Sequence, residues 1–315
     1  MIYTLTLNPA IDLFIDTPRL DEGVVNRTNS YDVQANGKGV NVSFILHRLG
    51  VPNVALGVGG GFTLAYITQQ LSAAGIQNDF IDTGGITRIN VFTHVRDGNR
   101  EYKQVNPGPE VSPAGLQTLI DHIGQLQADD VLIISGSFAR GISPSILTEI
   151  GKISVTQGFK LVLDTSYPEV LNTLQYHPYL LKPNNAELAS WYDLPADIDD
   201  EQLIKLGRDL QKRGAQNVLI SQGGSGAIFI GKDVYQGNAP RIKVLNTAGA
   251  GDTMLGTFVA GLVAGKEPAD NLRYALAAGS DTARNAWVTD FKQLDDLLTQ
   301  ISVQQLNTKE GIIHG

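Results

Sequence analysis

The chain reads as an α/β protein whose mainly parallel sheet is covered by helices on both faces. Three observations predict this. Short apolar runs alternate with longer amphipathic stretches along most of the sequence. Runs such as Val131-Leu132-Ile133-Ile134 are apolar at every position, as a strand buried on both faces requires. Glycines stand just past the amphipathic stretches, where helices stop.

In chain order, residues 2–7 form the first expected strand, stopped by Asn8-Pro9. Residues 40–49 read as a helix ended by Gly50, 54–58 as a strand, and 63–74 as a helix closed by Gly75. Residues 131–135 are a strand, and 143–157 a helix entered through Ser143-Pro144 and closed by Gly158. Residues 160–164 are another apolar strand, and a helix begins over 185–191. A helix over 204–213, closed by Gly214, leads into a strand at 217–221. A strand-like run at 242–245 precedes two late helices, 253–264 and 271–285.

Two stretches, 13–33 and 86–105, break the rhythm. They alternate polar and apolar residues without intervening helices, as in Asn90-Val91-Phe92-Thr93-His94-Val95 before the turn Asp97-Gly98-Asn99. That alternation suits half-exposed antiparallel strands. The expectation is one domain, 1–315, carrying a small β-sheet lid built from these stretches. A small sheet standing off a domain needs its other face covered. A homodimer formed through the lid is therefore expected.

Composition excludes several classes. With 24 Lys+Arg against 32 Asp+Glu the net charge is −8, so the basic surplus of a nucleic-acid binder is missing. A hydrophobic content of 42% is too high for disorder. There is no cysteine, so disulfides, thiolate nucleophiles and Cys-based metal sites are ruled out. The five histidines, His47, His94, His122, His177 and His314, are scattered and show no metal-ligand spacing. The N-terminal residues lack the basic start and apolar core of a signal peptide, and no apolar run approaches a membrane span. A soluble, cytoplasmic protein with no membrane partner is expected.

The common nucleotide fingerprints fail. Gly57 and Gly59 begin a dinucleotide pattern, but Phe62 takes its third glycine position, and no Gly-Lys pair is followed by Ser or Thr as a P-loop needs. Other segments carry the chemistry. Asn246-Thr247-Ala248-Gly249-Ala250-Gly251-Asp252-Thr253 precedes an apolar helix. Its small residues let a ligand approach the backbone, and the free N–H groups at the helix start make an anion site. Asp252 at its mouth either caps the helix or accepts a proton beside a bound phosphoryl group. Ala35-Asn36-Gly37-Lys38-Gly39-Val40-Asn41 also leads into a helix, as a polar ligand loop or a plain turn. Lys182-Pro183-Asn184-Asn185-Ala186-Glu187 reads as a capping box, or as a site that holds phosphate and hydrated magnesium. Ser221-Gln222-Gly223-Gly224-Ser225-Gly226-Ala227 either holds phosphates or turns a hairpin.

Together these segments resemble the phosphofructokinase B family of ribokinase-like sugar kinases. Asn8-Pro9-Ala10-Ile11-Asp12, Gly37-Lys38-Gly39-Val40-Asn41, Ser135-Gly136-Ser137, Lys182-Pro183-Asn184 with Glu187, Ser221–Ala227 and Thr247–Asp252 follow the family's order. The opening motif and Asn26-Arg27-Thr28 look most like the 1-phosphofructokinase and tagatose-6-phosphate kinase branch. The resemblance implies a three-layer α/β/α ribokinase-like fold with a β lid. It implies magnesium (Mg2+)-dependent transfer from ATP to a sugar phosphate, fructose 1-phosphate first, with tagatose 6-phosphate as the alternative acceptor. Asp252 would be the catalytic base, with Gly249, Ala250 and Gly251 forming the anion hole. Asp12, Gly37, Lys38, Gly39 and Asn41 would bind the sugar. Arg88 would hold its phosphate, with Arg27, reaching across a dimer, and Arg140 as further guanidinium candidates. Lys182, Asn184, Ser221, Gly223, Gly226, Thr247 and Ala248 would hold ATP, and Glu187 the metal through water. Three departures from the family pattern, Asn36, Phe44 and Val105, are expected on the sugar side. The competing class is a sugar-phosphate sensor without turnover, but retention of Asp252 and the anion loop argues for a kinase.

Overall fold

The computed structural model describes residues 1–306. Residues 307–315, part of the expected domain and including His314, lie outside the described residues. Among the described residues, fourteen strands run in chain order as β1 (Ile2–Thr6), β2 (Ala10–Thr17), β3 (Ser30–Asn36), β4 (Asn53–Gly59), β5 (Gln77–Asp82), β6 (Arg88–Val95), β7 (Arg100–Gln104), β8 (Val131–Ser135), β9 (Lys160–Asp164), β10 (Leu180–Leu181), β11 (Val218–Ser221), β12 (Ala227–Ile230), β13 (Val234–Gly237) and β14 (Val303–Leu306). The helices are α1 (Lys38–Arg48), α2 (Gly61–Ala73), α3 (Pro113–Ile123), α4 (Ile146–Gln157), α5 (Asn185–Ser190), α6 (Asp200–Lys212), α7 (Ala250–Val263), α8 (Pro268–Arg284) and α9 (Asp295–Leu298).

Ten strands form one sheet in the order β14-β13-β12-β11-β10-β9-β8-β1-β4-β5. It is parallel from β5 to β11 and antiparallel from β11 outward. The pleat sends successive side chains to opposite faces. On β8, Leu132 and Ile134 join one core with α3, α4 and α6, while Val131 and Ile133 join another with α1, α7 and α8. Two apolar layers on one all-buried strand are why its sequence reads as continuous apolar residues, and they make the molecule three layers deep.

The other four strands form a separate sheet, β3-β2-β6-β7. This is the lid, but its first two strands begin at Ala10 and end at Asn36 rather than spanning 13–33, and residues 18–29 form a loop. One pairing, β2 with β6, is parallel, because the chain passes through the main sheet between them. The β6–β7 hairpin turns through Asp97–Asn99 with Gly98 at φ 70°.

Most expected elements are present with shifted ends. The run at 242–245 is not a strand: Leu245, and Asn246 just after it, donate their N–H groups to Ala283 O at 2.9 and 3.1 Å. The polar/apolar pattern of β5 hid it at the sheet edge, while α3 had a readable start, Ser112-Pro113, with the Ser112 hydroxyl accepting from Gly115 N. The sequence 221–227 does turn a hairpin, joining antiparallel β11 and β12.

Candidate active site

The motif residues gather beyond the carboxyl ends of the parallel strands, where open α/β sheets bind ligands. Ser135 ends β8, Asp164 ends β9, Lys182 follows β10 and Ser221 ends β11. The N-termini of α1 and α7 border the same crevice.

Asp252 does not cap α7. Gly249 is the cap residue, at φ 79°, and Thr253 N donates to its carbonyl at 2.8 Å. A side chain at Gly249 would be strained there and would meet Val288 Cγ1 at 3.0 Å. Asp252 therefore lies inside the first helical turn, 5% exposed. Its Oδ2 accepts from Asn41 Nδ2 at 2.8 Å. The other Asn41 Nδ2 proton goes to Asn36 Oδ1 at 2.9 Å, and that oxygen also accepts from Gly37 N at 2.7 Å. Asn36, standing where the family pattern has glycine, thus ties the loop before α1 to Asp252 through Asn41. Burial pushes the Asp252 carboxyl above the usual carboxylate range. Lys38 pulls it back, Asp164 pushes it further up, and the Asn41 bond and Lys182 lower it.

Asp164 drew no attention in the sequence. It is 1% exposed and lies between two lysines, Lys182 Nζ at 3.0 Å and Lys38 Nζ at 3.5 Å. Burial alone would raise its carboxyl, but Lys182 and Lys38 outweigh this and hold it below the usual range. The same attraction lifts the Lys38 ammonium above its ordinary value against burial. Glycine is needed twice around Lys38. Gly37 has φ 124°, and a Cβ on Gly39 would lie 2.4 Å from Thr6 Oγ1.

On the sugar side, Asp12 and Asn90 sit at paired positions of β2 and β6, and Asn90 Nδ2 donates to Asp12 Oδ1 at 2.8 Å. Burial raises the Asp12 carboxyl to about 6, with Asn90 and Arg88 opposing. Arg88 donates to Asn8 O at 3.0 Å and Asn106 O at 3.3 Å, while its Nε has no partner among the described residues. Arg140 is exposed beyond Ser137, and Arg27 is exposed on the 18–29 loop; among the described residues neither side chain contacts this cluster. Phe44 is not on the sugar side. It is buried under the lid, edge-on to Trp287 at 4.9 Å, so an apolar contact replaces the family's arginine. Val105 is exposed.

The value near 6 gives Asp12 a pH signature. If Asp12 binds the sugar as the resemblance implies, its ionised form would accept hydrogen bonds from sugar hydroxyls, and that form disappears as pH falls through about 6. The KM for the sugar phosphate should rise on that limb. Asp12→Asn should raise KM by roughly 10–100-fold, the worth of bonds to a charged group. It should also leave only the acceptor phosphate's own titration near pH ~6. KM profiles of identical shape in both proteins would refute the assignment.

At the start of α5 the capping box is real. Glu187 N donates to Asn184 Oδ1, and Asn184 N to Glu187 Oε2, both at 2.8 Å. Glu187 Oε1 remains for another partner, and the carboxylate is near enough to raise the Lys38 ammonium. No group of three or more His, Asp or Glu among the described residues could hold a metal alone. One free carboxylate oxygen instead fits a hydrated magnesium whose other ligands are phosphate oxygens. Ser221 pairs beside Asn184. Gly226 is fixed by packing, since at φ 117° its Cβ would lie 1.9 Å from Gly237 O, whereas Gly223, at φ 55°, faces open space. Thr247 and Ala248 precede the α7 cap, with Ala248 N donating to Asn246 Oδ1 at 3.0 Å.

The chain is 44% identical over 307 residues to a D-tagatose-1-phosphate kinase of Bacillus licheniformis, covering 97% of this chain and 100% of the relative. It is 36% identical over 310 residues to a 1-phosphofructokinase of Borreliella burgdorferi, covering 98% and 100%. The crystal structure of phosphofructokinase-2 from Escherichia coli in complex with substrates and products superposes with a TM-score of 0.87 at 25% identity, covering 95% of this chain and 98% of that one. The fold is the ribokinase-like one implied by the motifs, and residues 5–289 match the pfkB family carbohydrate kinases, to which this chain belongs as a sugar-phosphate kinase.

Proposed function

We propose that the enzyme transfers the γ-phosphoryl group of ATP to the free exocyclic hydroxyl of a ketohexose 1-phosphate, giving the 1,6-bisphosphate. The observation that carries this is the 2.8 Å bond between Asn41 and Asp252, which joins a sugar loop to a base at a helix N-terminus. The sugar hydroxyl oxygen bonds to the γ-phosphorus as the bond to the bridging oxygen breaks. ADP leaves with that electron pair, and the hydroxyl proton passes to Asp252. Ala250 N donates to Thr247 O at 3.3 Å, so of the expected anion hole the Gly249 and Gly251 N–H groups are the ones left to face the charge on the phosphoryl oxygens. Lys182, Asn184, Ser221, Gly223, Gly226, Thr247 and Ala248 line the ATP side. Glu187 would help to hold magnesium through water, and the ion would supply charge neutralisation to the phosphates. Asp12 and Asn41 read sugar hydroxyls, and Arg88 clamps the sugar's phosphate, assisted by Arg140 and by Arg27 of a second copy.

Both curated relatives carry the names of kinases for ketohexose 1-phosphates that differ in configuration at C4. The expectation of fructose 1-phosphate therefore widens to include tagatose 1-phosphate. Values of kcat/KM for fructose 1-phosphate and tagatose 1-phosphate should exceed those for fructose 6-phosphate and tagatose 6-phosphate by at least about tenfold, because misplaced hydroxyls leave buried polar groups unpaired. A 6-phosphate that outperforms both 1-phosphates would overturn the acceptor class.

The lid exposes Tyr31, Tyr102, Val24 and Val25, the last at 83%. A second copy covering these side chains makes the proposed homodimer. Sedimentation at micromolar concentration should show it; a fully active monomer would remove the idea. No helix among the described residues is long and apolar enough to cross a membrane. The proposal places the reaction in the cytoplasm, with ATP and a sugar phosphate as its small-molecule partners.

A further inference from the structure

We propose that Lys38 and Lys182 act as a two-cation clamp on the phosphoryl group in flight, and that Asp164 is the positioning residue that holds both ammoniums in place. The sequence motifs put the two lysines on opposite sides of the reaction, one with the sugar and one with ATP. The structure puts them on one carboxylate, at 3.5 and 3.0 Å. Lys182 Nζ also lies 3.8 Å from where a Cβ on Gly251 would stand, directly beside the anion loop and Asp252. The stem of Lys38 crosses Gly136, whose missing side chain would touch it at 3.4–3.6 Å. Both lysines therefore converge between the nucleotide side and the base.

Asp164 cannot itself touch substrate. It is 1% exposed, and each of its oxygens faces one ammonium. Asp164 engages one side of each ammonium, Lys182 at 3.0 Å and Lys38 at 3.5 Å. That matters for function, because an ammonium is a rotatable point charge, free to turn its other protons toward phosphate oxygens. The two cations differ in access. The Lys182 side chain is 5% exposed, whereas that of Lys38 is 41% exposed and opens to the crevice. Lys182 forms the covered half of the clamp and Lys38 the half that meets the incoming group. Without Asp164 the two ammoniums would repel each other across the space the phosphoryl group must occupy.

This inference rests on the kinase reading. In the step it concerns, the bond from the γ-phosphorus to the bridging oxygen breaks, the bond to the sugar oxygen forms, ADP takes the electron pair and Asp252 the proton. The clamp faces the equatorial oxygens, where charge is spread in a loose transition state.

The test uses the full chain and separates the two readings. Wild-type transfer to the two ketohexose 1-phosphates is measured first, together with ATP and ADP affinities by calorimetry. Lys38→Met should lower kcat by roughly 10²–10³, the cost of one preorganised charge partner, while the sugar KM changes far less. It should weaken ATP binding but not ADP binding, because only ATP carries the group that is clamped. Lys38→Arg should restore part of the kcat. Asp164→Asn should lower kcat and erase the same preference for ATP over ADP, with a thermal midpoint close to that of Lys38→Met. A Lys38→Met protein with intact kcat, a raised sugar KM and an unchanged ATP-to-ADP affinity ratio overturns the clamp and leaves the kinase reading standing. A wild type that transfers nothing to either sugar and does not distinguish ATP from ADP sinks both.

Discussion

Replacing Asp252 with Asn should cut turnover by roughly 10²–10⁴, the range for losing a positioned general base, while ATP binding and stability stay near wild type. The substitution keeps the shape of the side chain. The amide oxygen it introduces can still accept from Asn41, so the helix start and the sugar loop stay linked. What is lost is the group whose affinity for a proton burial has raised. Phosphoryl transfer needs little activation of the nucleophile, so the proton moves late, and a carboxylate that is hard to desolvate further suits that moment. Single-turnover rates of the two proteins at saturating ATP settle the matter. A variant that kept more than about a tenth of the wild-type rate would lie outside that range and would exclude Asp252 as the base.

The second large effect is on stability. Helix α7 presents Asp252 at its start and a fully buried face beneath it: Leu255, Phe258 and Val259 are each 0% exposed. The Phe258 ring packs on Phe229 of β12 at 4.8 Å. Phe258→Ala leaves a cavity between sheet and helix that neither can close, at a cost of about 3–5 kcal/mol. A lower denaturation midpoint in urea, with the slope unchanged, is the expected readout. A loss below about 1 kcal/mol would mean that the site collapses around the missing ring.

Most of the machinery was legible because glycine-rich loops leading into helices are written locally. Lys182 sits in a loop that leads into a helix, and Lys38, Asn41 and Asp252 sit in the first turns of helices entered through such loops. Asp164 was not legible. It ends an ordinary apolar strand with no flanking motif, and only the pairing of β9 beside β8 and β10 brings it to Lys38 and Lys182. Asn36 looked like a loss from a glycine motif, yet the fold makes it the anchor of Asn41. The start of α7 was misplaced by the usual expectation that an acidic residue precedes a helix, when the left-handed Gly249 takes that position. Strands β12–β14 are antiparallel to their neighbours, so they lack the strand–helix rhythm that exposed the parallel strands.

The amide of Asn41 makes the two oxygens of Asp252 inequivalent. Both protons on its nitrogen are committed, one to Asn36 and one to Asp252 Oδ2. Oδ2 is thus already engaged by Asn41, and under the proposed mechanism Oδ1 is the oxygen left to take the proton from the sugar. The Asn41 oxygen, buried and without a partner among the described residues, is the one the proposed mechanism gives to a sugar hydroxyl. One flat group therefore presents two different edges, its nitrogen edge holding Asn36 and Asp252 and its oxygen edge left open. Asn41→Asp would abolish both at once by setting two carboxylates face to face.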